Sequence, residues 1–272
     1  MGVGALILIP MEGPTVHSEE HVRLRSIREL SPAQWEKLAR ARVYFGHQSV
    51  GSNIIDGLRD ILGDDPQRKL NIVETSDPGC LNSPVFGHWR IGRNGDPKSK
   101  ITAFSGLMDS GIASKVDVAF LKLCYVDVTE ETNATAVFRE YKEAMSRLHA
   151  KYPETVFVHV TVPLTSMDRG IKLRIKKIIG RSLRYEDNTR RRQFNELLRE
   201  EYQSGEPIFD LAKIEATPPD GRRRLYQKGG DTFHAMAPSY TDDGGHLNRK
   251  GRKMVAEQLL LLLADLTEHV TR

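Results

Sequence analysis

Cysteine is nearly missing from this chain. Cys80 and Cys124 are the two in 272 residues, too few for a disulfide framework and at no metal-ligand spacing. Two free thiols acting as small apolar side chains is the ordinary reading, and a single bridge between them stays open for an exported protein, since both fall at expected strand ends. Long apolar runs are missing too. No stretch approaches the roughly 18 to 20 residues that cross a bilayer. The apolar start, Ala5 to Ile9, has no basic residue before it and is too short for a secretory core region. A soluble chain is expected, cytoplasmic as given or exported if a signal peptide was removed. Aromatic residues make up only 7% and do not interleave the basic residues as stacking platforms, so no nucleic acid is expected as a partner. The histidines His17, His21, His88, His149, His159, His234 and His269 show no ligand pairing, which leaves neither a metal nor another cofactor expected.

What is present is enough for a large single core: 39% apolar residues against 28% charged. Short runs rich in Val, Ile and Phe alternate with amphipathic stretches of helical length. Strands are expected at 42–46, 70–75, 116–123, 156–162 and 208–211, with helices at 53–62, 132–151, 189–202 and 249–268. The alternation predicts an α/β fold, a three-layer flavodoxin-like sandwich around a central, mostly parallel five-stranded sheet. Residues 1–40 stand outside it: 14–20 read as turn-like and polar, while Ser31-Pro32 reads as a cap and first position of a helix. The expected organisation is an N-terminal extension over 1–40, then a domain over 41–269 interrupted by a basic insertion at about 165–187.

Ligands of such sheets gather at the carboxyl ends of the strands, and there the chain concentrates chemistry. Near the C-terminus Thr241-Asp242-Asp243-Gly244-Gly245-His246-Leu247-Asn248 sets a carboxylate three residues before a histidine in a Gly-rich turn. A carboxylate that orients an imidazole is two thirds of a nucleophilic triad. The serine it needs occurs at Ser49, where the first expected strand ends in Gly46-His47-Gln48-Ser49 and a helix begins. Taken alone, Ser49 suits an ordinary helix N-cap equally well.

The order Ser, Asp, x, x, His resembles the SGNH, or GDSL, hydrolase superfamily over roughly residues 41–269. The resemblance implies Ser49 as nucleophile, Asp243 as orienting acid and His246 as general base, with Asp242 off the family spacing. It also implies an oxyanion site built from the amide of Ser49 and that of Gly79, in Ser76-Asp77-Pro78-Gly79-Cys80. The family's Gly-x-Asn-Asp block reads Cys124-Tyr125-Val126-Asp127, which keeps the Asp and lacks the Asn. Asn94 is the candidate third donor, with a plain Asn-Gly turn as its other reading. His47, Gln48, Tyr125 and Asp127 are candidate pocket residues.

The segment from Arg169 to Arg192 carries ten Lys or Arg against two acids, an excess larger than the +4 of the whole chain. It reads as a lid, as a surface for anionic partners, or as a solvated helix. The activity implied is serine hydrolysis of a carboxylic ester, favouring a small acetyl-type acyl group on a carbohydrate or similar small molecule. Lipid or thioester hydrolysis, and a catalytically weakened binding protein, are the alternatives. Oligomeric state is not legible.

Overall fold

The computed structural model describes residues 14–65, 68–167 and 185–268. After a peripheral strand β1 (Thr15–His21) the chain lays down β2 (Arg42–His47), β3 (Ile72–Glu74), β4 (Val85–Arg90), β5 (Val118–Leu121), β6 (Val156–Val160) and β7 (Ile208–Phe209). These six form one sheet in the order β3-β4-β2-β5-β6-β7, with every neighbouring pair parallel. Parallel strands need crossovers, and the helices that supply them cover both faces. Val43, Phe45, Val118 and Phe120 pack against α1 (Pro32–Arg40), α2 (Val50–Asp64) and helices later in the chain. Tyr44, Ala119, Leu121 and Phe157 point the other way, onto α3 (Pro97–Leu107), α4 (Ala134–Lys151) and α5 (Tyr185–Tyr202). Alternate residues of each strand are therefore buried on opposite sides, which is why the strands read as apolar runs.

Two expectations are corrected. The sheet has six strands, because Val85–Arg90 is a strand that the sequence disguises: Gly87 interrupts it, and a Cβ there would lie 2.9 Å from Leu81 and 3.0 Å from Tyr44. Residues 14–20 are not a turn. Strand β1 is exposed at all seven positions, so no apolar alternation marks it. It forms because it pairs antiparallel with β8 (Arg222–Lys228), where Glu19 meets Arg224 at 2.6 Å and Glu20 meets Arg223. With β9 (Asp231–Phe233) these make a separate three-stranded sheet. The Ser31 cap appears as expected, reciprocated by Gln34 and followed by Pro32. Among the described residues no helix is long and apolar enough to cross a bilayer.

The last helices position the site. α6 (Leu211–Ala216) precedes α7 (Arg249–Thr267), and α7 packs along α2 with unusual closeness at Gly57, where a Cβ would lie 2.2 Å from the Arg252 carbonyl oxygen. Of these two helices, α2 starts directly after Ser49 and α7 three residues after His246. Their packing thus fixes Ser49 relative to His246.

One buried group makes the fold sensitive to pH. Glu215 on α6 is fully buried; its Oε2 accepts the Leu164 N–H at 2.6 Å, and Oε1 has no hydrogen-bond partner among the described residues. Burial pushes its carboxyl up to about 8, against the opposing pull of that N–H, Lys122 and Arg191. The folded chain holds this proton up to about pH 8, whereas the unfolded chain releases it near 4.5. The stability from Glu215 is therefore complete below that lower value and is lost as pH rises toward 8, at up to about 1.4 kcal/mol per pH unit. Glu215→Gln should remove this slope, so that its Tm gains on the parent's between about pH 5 and pH 8. Parallel Tm curves would overturn the burial argument.

Candidate active site

Ser49 sits between β2 and α2 with φ 50° and ψ −108°, and it is the one non-glycine residue with positive φ among those described. Such a conformation costs on the order of 1–3 kcal/mol and persists only where the surroundings enforce it. Although Ser49 occupies the N-cap position, its side chain makes no capping bond. Its Oγ lies instead 2.8 Å from His246 Nε2, 197 residues away in sequence. The ordinary N-cap reading is thereby set aside.

His246 Nδ1 lies 2.8 Å from Asp243 Oδ2. The other carboxylate oxygen, Oδ1, accepts the backbone N–H groups of Gly245 at 2.9 Å and His246 at 2.8 Å. Burial pushes the Asp243 carboxyl up, but the His246 amide and ring and the Gly245 amide outweigh it and hold the group down at about 2. Asp243 is therefore a carboxylate that only accepts, and this assigns the proton to His246 Nδ1 and leaves Nε2 as acceptor for the Ser49 hydroxyl. Both side chains are about half exposed, so the pair opens onto solvent.

The turn that holds this pair is built by its own small residues. Thr241 Oγ1 accepts the Gly244 N–H at 2.8 Å, and Gly244 adopts φ 87°, which a side chain would resist. Gly245 admits Tyr125: a Cβ there would lie 2.8 Å from the Tyr125 hydroxyl. The Tyr125 ring meets His246 edge-on, centroids 5.8 Å apart. Burial, then the nearby Asp243 charge, pushes the Tyr125 hydroxyl up, so it stays neutral. Asn53 Oδ1 on α2 accepts the Leu247 N–H at 3.2 Å, and Asn248 caps α7.

The other expected site residues scatter. Gln48 is half-buried and donates from Nε2 to the Gly92 carbonyl at 3.2 Å. His47 is buried, with Nε2 3.1 Å from His88 Nδ1. Burial, then His88, Lys122 and Arg90, pushes it down to about 2, so it stays neutral. Asp127 is also buried, in an ion pair with Lys100 at 2.6 Å. Gly79 does not offer its amide, which caps onto Asp77 Oδ1 at 2.7 Å in the short turn Pro78–Leu81. The missed strand explains the displacement. β4, not β3, adjoins β2, so the loop that emerges beside Ser49 is the one carrying Gly92 and Asn94. The sequence reading missed Lys100 and Gly92 altogether; a lone lysine in a helical first turn carries no motif.

Both cysteines are free, Cys80 exposed and Cys124 buried, so the bridge left open by the sequence is not formed. Of the basic segment, residues 169–184 lie outside the described residues. Arg191, in the part that is described, faces inward and donates to the carbonyls of Tyr125 and Val128 at 3.0 and 3.1 Å. It supports the turn that holds Tyr125.

No family model matches the chain, and no curated protein does. Solved structures do share its fold. One from Streptococcus pneumonia, described as a platelet activating factor, is 13% identical and matches over 85% of this chain and 91% of its own, with a TM-score of 0.50. Another, described as a GDSL-like lipase from Parabacteroides merdae, is 13% identical over 82% of this chain and 95% of its own, also with a TM-score of 0.50. At that identity the likeness is one of fold, and the fold is of the SGNH/GDSL hydrolase type.

Proposed function

We propose that the chain is a serine hydrolase of carboxylic esters. The observation that supports it most is a strained serine whose hydroxyl bonds a histidine that in turn bonds a carboxylate, Ser49 to His246 to Asp243 at 2.8 Å each. In this reading His246 Nε2 takes the Ser49 proton as Oγ attacks the acyl carbon, and Asp243 stabilises the imidazolium. His246 then gives the proton to the leaving alkoxide, and water repeats the sequence to release the acid and free Ser49. The Ser49 amide, at the positive end of α2, donates to the oxyanion.

The substrate class we favour is a small acetyl-type group on a carbohydrate or similar small alcohol. A half-exposed Asp243–His246 pair suits a short acyl chain whose bulky alcohol stays in solvent. A lipid or thioester hydrolase is the nearest alternative. A binding protein with weakened catalysis is the second reading, favoured by Val126, which stands where the family has its asparagine.

The test pairs a chromogenic acetyl ester with a fluorophosphonate. The expected result is hydrolysis together with one phosphonate adduct, mapped by mass spectrometry to Ser49. An intact mass without adduct and no turnover would leave the binding protein as the surviving reading.

A further inference from the structure

We infer that the side-chain amide of Asn94 is the oxyanion donor that the Cys124-Tyr125-Val126-Asp127 block lacks, and that the buried Lys100–Asp127 ion pair is the device that positions it. The inference rests on the ester-hydrolase reading above.

The register of the sheet brings Asn94 to the right end. His47 pairs with Arg90 across β2 and β4, so residues 91–95 leave the sheet level with Ser49. The Gln48 bond to the Gly92 carbonyl ties that loop to the residue before the serine. The loop also lies over the altered block: a Cβ on Gly95 would be 4.0 Å from the Val126 carbonyl oxygen. Asn94 thus directly precedes the residue that lies against the position that lost an asparagine.

The orientation of Asn94 follows from its partner. Lys100 Nζ lies 3.0 Å from Asn94 Oδ1. An ammonium can only donate, so the Asn94 carbonyl must face it and the NH2 group projects away, with both hydrogens turned from the lysine. Asn94 itself is exposed, where a substrate can reach it.

Lys100 and Asp127 have no side-chain exposure at all. Asp127 receives Lys100 Nζ on both oxygens, at 2.8 and 2.6 Å, and also the Gly95 N–H at 2.8 Å and the Cys124 N–H at 2.5 Å. One carboxylate therefore staples the loop after β4 to the turn after β5. A buried ion pair in general stabilises no better than an apolar pair of the same shape, so its value here is geometric. Lys100 and Asp127 are positioning residues, since neither reaches the reacting atoms.

The test measures kcat and KM on a chromogenic acetyl ester, affinity for a trifluoromethyl ketone, and Tm. Asn94→Ala should lower kcat about 10²- to 10³-fold with KM within about twofold, and weaken the ketone by the factor lost in kcat/KM, because the oxyanion exists only after attack. Its Tm should match the parent's. The double variant K100M/D127V keeps an apolar pair in the buried space and should show the same kcat loss, with no further loss when Asn94→Ala is added. If the double variant does not fold, Asn94→Ala in its exposed loop decides alone. Unchanged kcat, or a loss confined to KM, in an Asn94→Ala protein that still labels at Ser49 overturns this inference and spares the hydrolase reading. A parent inert to ester and phosphonate overturns both.

Discussion

Ser49→Ala is expected to lower kcat on an acetyl ester by about 10⁴- to 10⁶-fold, the loss seen when the nucleophile of an acting triad is removed. The substitution removes the hydroxyl and keeps the backbone amide, and the bond of that hydroxyl to His246 at 2.8 Å is the only side-chain bond Ser49 makes among the described residues. Stability should change by no more than about 1 kcal/mol, since no core contact is lost. Ser49→Gly separates the two properties further. At φ 50° glycine is free of the strain that serine carries, so this variant should be as inactive as alanine yet more stable by about 1 kcal/mol. Turnover and thermal melts on the three proteins check both halves. A Ser49→Ala protein that kept a tenth of the parental kcat would remove Ser49 from the mechanism. A Ser49→Gly protein less stable than the parent would show that the backbone there is not strained.

The parts of this molecule legible in sequence are those fixed by local chemistry. Apolar runs such as Val43 to Phe45 and Val118 to Leu121 announce strands covered on both faces, and a serine followed by proline announces α1. The Asp243 turn was legible for the same reason: its geometry needs Gly244, Gly245 and a carboxylate three residues before the histidine, all contiguous. What was hidden depends on partners remote in sequence. β1 is a strand only because it pairs with β8, where Arg223 and Arg224 face its two glutamates. β4 carries a glycine for the sake of Leu81 and Tyr44. Missing β4 moved the oxyanion expectation one strand too far, to Gly79, because the order of strands in a sheet is set by packing of the whole chain. Lys100 was invisible because its value lies in Asp127, which no spacing rule connects to it.

Asp243→Asn should lower kcat by about 10⁴-fold while leaving the fold intact. An asparagine can keep the two backbone bonds at Oδ1, so the turn from Gly244 to Leu247 should survive. Its NH2 group then faces His246 Nδ1 and can only donate, which forces the ring proton onto Nε2. The Ser49 hydroxyl would meet a donor where it needs an acceptor, and the base would be blocked although every heavy atom is in place. Because the parental carboxyl is held down at about 2, the parent keeps Asp243 ionised throughout the range in which esters are assayed. The neighbouring Asp242, whose carboxylate accepts from the Asn248 side chain at 3.3 Å, provides the control: Asp242→Asn should change kcat less than about twofold. Steady-state rates on both variants, with the ring-nitrogen shifts of His246 by NMR, read the rate and the tautomer together. An Asp243→Asn protein within tenfold of the parent, or one whose His246 still carries its proton on Nδ1, would mean that the carboxylate does not orient the base.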